Sequence, residues 1–272
     1  MRLGLNTDDI DKESVMAPVR HMANLTKNNR RLARFYSLIF GMNELWNEWQ
    51  NSSAAFYITD GYLNFNCLEI LPVMSRPASV RIDHIGFMIS KQECERKLAA
   101  LDKPIKLEQS PQDGRYEDWR FEDPEGNLVE IAARGWGTES NTKLPLLRHT
   151  TIHAQDHERL AEFYKFVFDM KEVHRKDIPK TNTKAIYLSD GNFSIALVKN
   201  SPIEAKGFQV LGFHVQSIAE IEERLKKSPP FLYPREPKVE ILRRTSDSPF
   251  KEHYLHDPDG NIVDLSEEGW EM

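Results

Sequence analysis

One segment of this chain is written twice. DPEGNLVEIAARGW occupies residues 123–136, and DPDGNIVDLSEEGW occupies residues 257–270, 134 residues later. Self-similarity over so long a period means that the chain folds as copies of one unit. The match extends backwards from both segments. RHMANLTKNNRRLARFYSLIFGM (20–42) pairs with RHTTIHAQDHERLAEFYKFVFDM (148–170), which sets His21 against His149, Phe35–Tyr36 against Phe163–Tyr164, and Phe40 against Phe168. YITDGYLNFNCL (57–68) pairs with YLSDGNFSIALV (187–198), and DHIGFMIS (83–90) with QVLGFHVQ (209–216). The second copy is eight residues longer between its last two landmarks, and the excess falls in the Pro- and Ser-rich stretch 228–250, read as a loop.

A length of 272 residues suits two ordinary domains. The expected division is a tail over 1–17, a first domain over 18–136, a polar linker over 137–146 (GTESNTKLPL) and a second domain over 147–272. Within a copy, a short strand VRHMANLT leads to NNRRLARFYSLIFGM. The latter carries Leu32, Phe35, Tyr36, Ile39 and Phe40 at helical spacing and closes at Gly41. AFYITD and GYLNFNCLEI follow as strands around an Asp-Gly turn. RIDHIGFMIS then starts a second round, with KQECERKLAAL as its helix. Each copy is therefore two βαβββ modules in series. The fold class is α+β: a tandem repeat of two domains, each of paired βαβββ modules.

Bulk composition narrows the function. With 40% hydrophobic and 29% charged residues the chain is that of a globular protein. A net charge of −6 argues against nucleic acid as a partner. No apolar run is long enough to span a membrane, and the N-terminus shows no signal-peptide pattern. Two cysteines, Cys67 and Cys94, are too few for a disulfide framework. The expectation is a cytoplasmic protein with a small-molecule partner; a homodimer is allowed.

His21 ahead of the first helix, His84 opening a second apolar strand, and DPEGNLVE ending in Glu130 resemble the vicinal oxygen chelate superfamily, which holds glyoxalase I, bleomycin and fosfomycin resistance proteins, epimerases and extradiol dioxygenases. The resemblance covers about 18–136 and 147–270. It implies that the paired modules of each domain form a half-open curved sheet, as in the glyoxalases and dioxygenases, with a metal inside. Strand alternation is consistent with that. Leu128, Glu130 and Ala132 share one face, His84, Gly86 and Met88 another, and His21, Ala23 and Leu25 a third, with the small Ala23 and Gly86 expected to leave room for a ligand. An acid inside such a face is costly unless it is paired or binds a cation. Two imidazoles and a carboxylate suit a divalent first-row ion with open positions. His21, His84 and Glu130 are the expected ligands, and Fe(II) the expected ion, with Zn, Ni or Mn as alternatives.

The glyoxalases carry a further acid at the place where this alignment puts Asn66, which is expected to be a polar wall residue. In the second copy His149 is kept, Val210 replaces His84, and Asp264 replaces Glu130, so that site reads as degenerate. A displaced site of His149, His214 and Asp264 is a second arrangement. Tyr57, Arg120, Tyr254 and His214 join Asn66 as pocket candidates; Tyr254 precedes Asp264 by ten residues, where the extradiol dioxygenases carry a tyrosine near the substrate. Trp46, Trp49, Tyr62, Phe65 and Trp119 are expected, with Tyr57, to form an aromatic wall. Modules are expected to pair in chain order; pairing of the second with the third would bring His149 to His84 and Glu130 in place of His21.

The ligand set resembles that of the extradiol dioxygenases, and the resemblance implies a dioxygenase of that type acting on a catechol-like substrate. The alternatives are a glyoxalase- or epimerase-type isomerase or lyase, with Glu44 or Glu48 as base, and a non-catalytic binding protein of the bleomycin-resistance type.

Overall fold

The two copies become two sheets of eight strands with one strand order. The computed structural model describes residues 16–45, 55–71, 79–110, 118–138, 143–178, 183–199, 206–232, 240–244, 250 and 252–270. In the first copy the elements are β1 (Val19–Thr26), α1 (Asn29–Phe40), β2 (Asn43–Glu44), β3 (Ala55–Thr59), β4 (Asn64–Glu69), β5 (Arg81–Met88), α2 (Lys91–Ala99), β6 (Glu108–Gln109), β7 (Trp119–Glu122) and β8 (Leu128–Ala132). Across the sheet they run β2-β3-β4-β1-β5-β8-β7-β6. The second copy runs β9 (Leu146–Ala154), α3 (His157–Phe168), β10 (Lys171–Ile178), β11 (Thr183–Ser189), β12 (Ser194–Lys199), β13 (Gly207–His214), α4 (Ile218–Lys226), β14 (Leu242–Arg243), β15 (Glu252–His256) and β16 (Ile262–Ser266). Its sheet order repeats the first, β10-β11-β12-β9-β13-β16-β15-β14.

At the centre of each sheet the opening strands of two consecutive modules lie antiparallel, β1 on β5 and β9 on β13. Modules therefore pair in chain order. Each opening strand is flanked by the last strand of its own module, running parallel: β4 beside β1 and β8 beside β5.

Local chemistry sets the helix ends. The Asn28 side chain accepts from the Arg31 N–H at the start of α1, and Gly41 closes it at φ 71° with its N–H on Ser37. In α3 the cap is Asp156, and the closing residue is Asp169, left-handed at φ 56°, whose carboxylate pairs with Lys97 of the first copy. The spacing of Leu32, Phe35, Tyr36, Ile39 and Phe40 buries one face of α1, as read from the sequence.

That face packs on both copies. Phe40 stacks on Phe213 of β13 with ring centroids 3.9 Å apart, and in return Phe168 stacks on Phe87 of β5 at 3.7 Å. The Tyr36 hydroxyl donates to Asp257 Oδ2 at 3.0 Å, and the Tyr164 hydroxyl to Asp123 Oδ2 at 3.0 Å. Asp60 accepts the N–H of Leu147 at 2.8 Å, and Asp190 the N–H of Val19 at 2.6 Å. The repeated Phe-Tyr, Asp-Gly and Asp-Pro-x-Gly-Asn motifs are thus the fastenings by which each copy closes the other. The result is one continuous core, to which each fully buried phenyl ring contributes about 1.5–3 kcal/mol.

Burial pushes the carboxyls of Asp123 and Asp257 up, Asp257 to about 6, while Asn127 or Asn261 and neighbouring N–H groups pull them back. Tyr36→Phe and Tyr164→Phe each remove one donor from such a group, and each is expected to cost about 1–2 kcal/mol. Urea unfolding checks this; losses below about 0.5 kcal/mol in both variants would contradict the interlock.

Candidate metal centre

β1, β5 and β8 place three donors on one face. Across the strand pairs, Ala23 faces His84, His21 faces Gly86, and Gly86 faces Glu130, so all of these side chains point to the same side. His21 Nε2 and His84 Nε2 are 3.0 Å apart, and His84 Nε2 lies 3.4 Å from Glu130 Oε2. The three are buried, and among the described residues they form the one group able to hold a metal ion.

Each donor is held from behind. Asn64 Oδ1 stands 3.1 Å from His21 Nδ1, and the Asn64 amide nitrogen donates to the Trp136 carbonyl at 3.1 Å. The amide oxygen therefore accepts, His21 Nδ1 carries the proton, and Nε2 presents its lone pair inward. Asp83 Oδ2 does the same for His84 Nδ1 at 3.0 Å. The Ser110 hydroxyl donates to Glu130 Oε1 at 3.0 Å, leaving Oε2 toward His84. Two imidazole lone pairs so close repel unless a cation or a proton lies between them. Burial, then the neighbouring His84 charge, holds His21 well below the usual histidine range. Burial also opposes charge on His84, but Glu130 and Asp83 outweigh it and carry that imidazole upward.

The donor set fits a divalent ion. Donors about 2.1 Å from a shared ion and roughly at right angles stand about 3 Å apart, matching the 3.0 and 3.4 Å separations. Asn66 adds to the fit. It follows Asn64 on the same face, is buried, and its Oδ1 has no hydrogen-bond partner among the described residues. In the register of β1 and β4 it holds the place that Glu130 holds in β5 and β8. Tyr57 is paired with Asn66 on β3, and Arg120 with Glu130 on β7, so both belong to this face.

Several expectations change. The space beside Gly86 is not left for a ligand: a Cβ there would meet the Trp136 ring at 2.6 Å and His21 Cβ at 2.7 Å. Trp136 stacks on His21 with centroids 4.8 Å apart and donates Nε1 to Asp118 at 3.2 Å. The repeated Gly-Trp was the signal for this wall. The expected aromatic wall is otherwise dispersed. Trp119 pairs with Ile131, on the side opposite Glu130, and lies under the Lys91 ammonium at 3.6 Å. Phe65 packs on Tyr36 in the core, and Tyr62 is sandwiched between the guanidinium groups of Arg20 and Arg148, each 4.1 Å away. Trp46, Trp49 and Glu48 lie outside the described residues; Glu44 is half-buried on the edge strand β2.

In the second copy His149 stacks on Trp270 at 4.7 Å. Val210 stands where His84 does, and Asp264 is gripped by Arg244, Nε at 2.8 Å and a terminal nitrogen at 2.7 Å. Burial, then Arg244, pushes His149 down to about 3. His214 packs against Gly269, and Tyr254 pairs with Asp264, so both stand in the second sheet. Among the described residues His149, His214 and Asp264 form no metal-binding group.

A family model described as the Glyoxalase/Bleomycin resistance protein/Dioxygenase superfamily matches residues 146–265. The second copy of the chain, and only that copy, is matched by this superfamily's model. The match falls on the copy whose acid is sealed by Arg244, so the superfamily's pattern here is carried by the fold. No curated protein sequence matches the chain. Among solved structures, the 2,3-dioxygenase LapB from Pseudomonas sp. KL28 superposes with a TM-score of 0.69 at 17% identity, over 95% of this chain and 94% of that one. The Mn(II)-bound glyoxalase from Novosphingobium aromaticivorans gives 0.67 at 15%, over 93% and 82%. The halotolerant catechol dioxygenase BphC gives 0.65 at 16%, over 93% and 87%. At these identities the likeness is one of fold. No helix among the described residues is long and apolar enough to cross a membrane.

Two outcomes follow from this geometry. Gly86→Ala is expected to cost about 1–3 kcal/mol by overpacking and to shift Trp136 fluorescence; an unchanged melting temperature and emission would contradict the packing. Because a bound metal would displace a proton from His84, whose imidazole Glu130 and Asp83 hold above the usual histidine value against the opposing effect of burial, Mn(II) affinity is expected to fall by up to about tenfold per pH unit as the pH drops below that raised value. Titration calorimetry at several pH values checks this, and a flat profile between about pH 6 and 8 would contradict it.

Proposed function

We propose that the chain is a metal-dependent enzyme whose N-terminal copy holds one divalent ion on His21, His84 and Glu130. Fe(II) is the ion this donor set best suits, and the reaction is an extradiol-type oxygenation of a small catechol-like substrate. The convergence of three buried donors, each fixed from behind by Asn64, Asp83 or Ser110, carries the reading. An ion bound there supplies open coordination positions for two neighbouring substrate oxygens.

The chain's own groups do the rest. Arg120, beside Glu130 on β7, brings positive charge for a substrate oxyanion. Asn66 Oδ1, which has no hydrogen-bond partner among the described residues, accepts from a substrate hydroxyl. Trp136 closes the wall behind His21 and excludes water there.

One observation favours a second reading. Residues 18–136 contain no histidine besides His21 and His84, so this copy has no third imidazole to move protons. An isomerase or lyase of the glyoxalase type, working with a carboxylate base such as Glu44, would need none.

The test is metal content of the full chain purified without chelator or affinity tag, beside Glu130→Ala and His149→Ala, followed by oxygen uptake with catechols. About one equivalent of iron, lost in Glu130→Ala and kept in His149→Ala, with oxygen uptake following the metal, is expected. Manganese, zinc or nickel with the same variant pattern and no oxygen uptake would replace ring cleavage by the isomerase or lyase. Absence of metal, before and after reconstitution, would overturn the enzyme reading and leave a binding protein.

A further inference from the structure

The two copies share one register across the duplicated hairpin and differ in charge at a matched position of it. In the first copy Glu108 pairs with Arg120, Gln109 with Trp119, and the Ser110 N–H bonds to Asp118. In the second, Leu242 pairs with Tyr254, Arg243 with His253, and the Arg244 N–H bonds to Glu252. Ser110 and Arg244 are therefore the same place. Each reaches the same target, the acid of the closing strand: Ser110 reaches Glu130 at 3.0 Å, and Arg244 reaches Asp264 at 2.7 Å. The surroundings are duplicated too. Trp136 donates to Asp118 and stacks on His21; Trp270 donates to Glu252 at 2.7 Å and stacks on His149.

What differs is charge. A buried carboxylate requires a counter-cation. Asp264 has a permanent one in Arg244, built into the chain. Glu130 receives from Ser110 only a neutral hydrogen bond, which fixes one oxygen and leaves the other toward His84. A guanidinium in contact with the acid neutralises it and repels a second cation; a hydroxyl does neither.

We propose that position 110, with its mate 244, decides which copy can take a divalent metal: Ser110 holds Glu130 in a one-oxygen, metal-accepting pose, and Arg244 takes the cation's place in the second copy. The proposal rests on the metal site argued above. Ser110 is a positioning residue, acting through Glu130, and Arg244 is a chain-borne substitute for the ion. Closure of the second face is reinforced by Phe250, which packs on Tyr187 at 5.4 Å and Trp270 at 6.5 Å.

The experiment titrates the full chain with Mn(II) by calorimetry and with Co(II) by visible absorption, alongside thermal melts. Ser110→Arg is expected to fold as the second copy does and to lose Mn(II) binding by more than about 100-fold; Ser110→Ala is expected to weaken it about tenfold and to change the Co(II) band, and Ser110→Thr to restore both. The converse variant, Val210→His with Arg244→Ser, supplies a second imidazole and frees Asp264. It is expected to raise the stoichiometry from one ion to two. If Ser110→Arg does not fold, Ser110→Ala and the converse variant still decide. Wild-type affinity and Co(II) spectrum in Ser110→Arg or Ser110→Ala, or a single ion in the converse variant, would overturn the proposal while leaving the metal site standing. No metal in the unaltered chain would overturn both.

Discussion

Asp123 and Asp257 are the groups on which the assembly of this molecule turns. Each sits in an Asp-Pro-x-Gly-Asn turn, gathers the backbone N–H groups of that turn, and accepts a tyrosine hydroxyl from the helix of the opposite copy. A carboxylate taken out of water costs several kcal/mol unless such donors surround it. The donors come partly from the local turn and partly from the other copy, 41 residues away for Asp123 and 221 for Asp257, so each carboxylate has its full set only when the two copies are docked. Asp60 and Asp190 repeat the logic, each ordering its own Asp-Gly turn and then holding an N–H at the start of the opposite copy's central strand. The stacks of Phe40 on Phe213 and Phe87 on Phe168 add the apolar part.

This arrangement separates two faces of the same sheets. The helix-covered side is committed to the interlock, and the two copies use the same residue types there. The other side carries the donors and is where the copies differ most. His84 against Val210, Glu130 against Asp264 and Ser110 against Arg244 are all replacements at matched positions that leave strand order untouched. The metal-type donor set occupies one copy, and a guanidinium ion pair occupies the corresponding place in the other.

Much of this was legible in the chain itself. The repeat defined two copies, alternation around Glu130, His84 and His21 put the three on consistent faces, and helical spacing marked α1. Those signals are local or periodic. The contacts that escaped depend on which strands become neighbours in a folded hairpin. Ser110 lies in no periodic pattern and meets Glu130 twenty residues away only because β6, β7 and β8 stack in register. Asn64, two residues from the expected Asn66, is the one that touches His21, because β4 runs parallel to β1 with those residues paired. Gly86 looked like room for a ligand, but the space is filled by Trp136, whose stacking on His21 requires the close approach. Tyr62, Phe65 and Trp119 looked like one aromatic wall, yet alternation and a turn send each to a different place.

A single metal centre, in the N-terminal copy, is what we propose for this chain. Anomalous diffraction from crystals of the full chain, recorded on both sides of the absorption edge of the bound metal, tests it most directly. One anomalous peak is expected among His21 Nε2, His84 Nε2 and Glu130 Oε2, with none between His149 and Asp264. A peak in the second copy, or none among the three N-terminal donors in protein that carries stoichiometric metal, would contradict it.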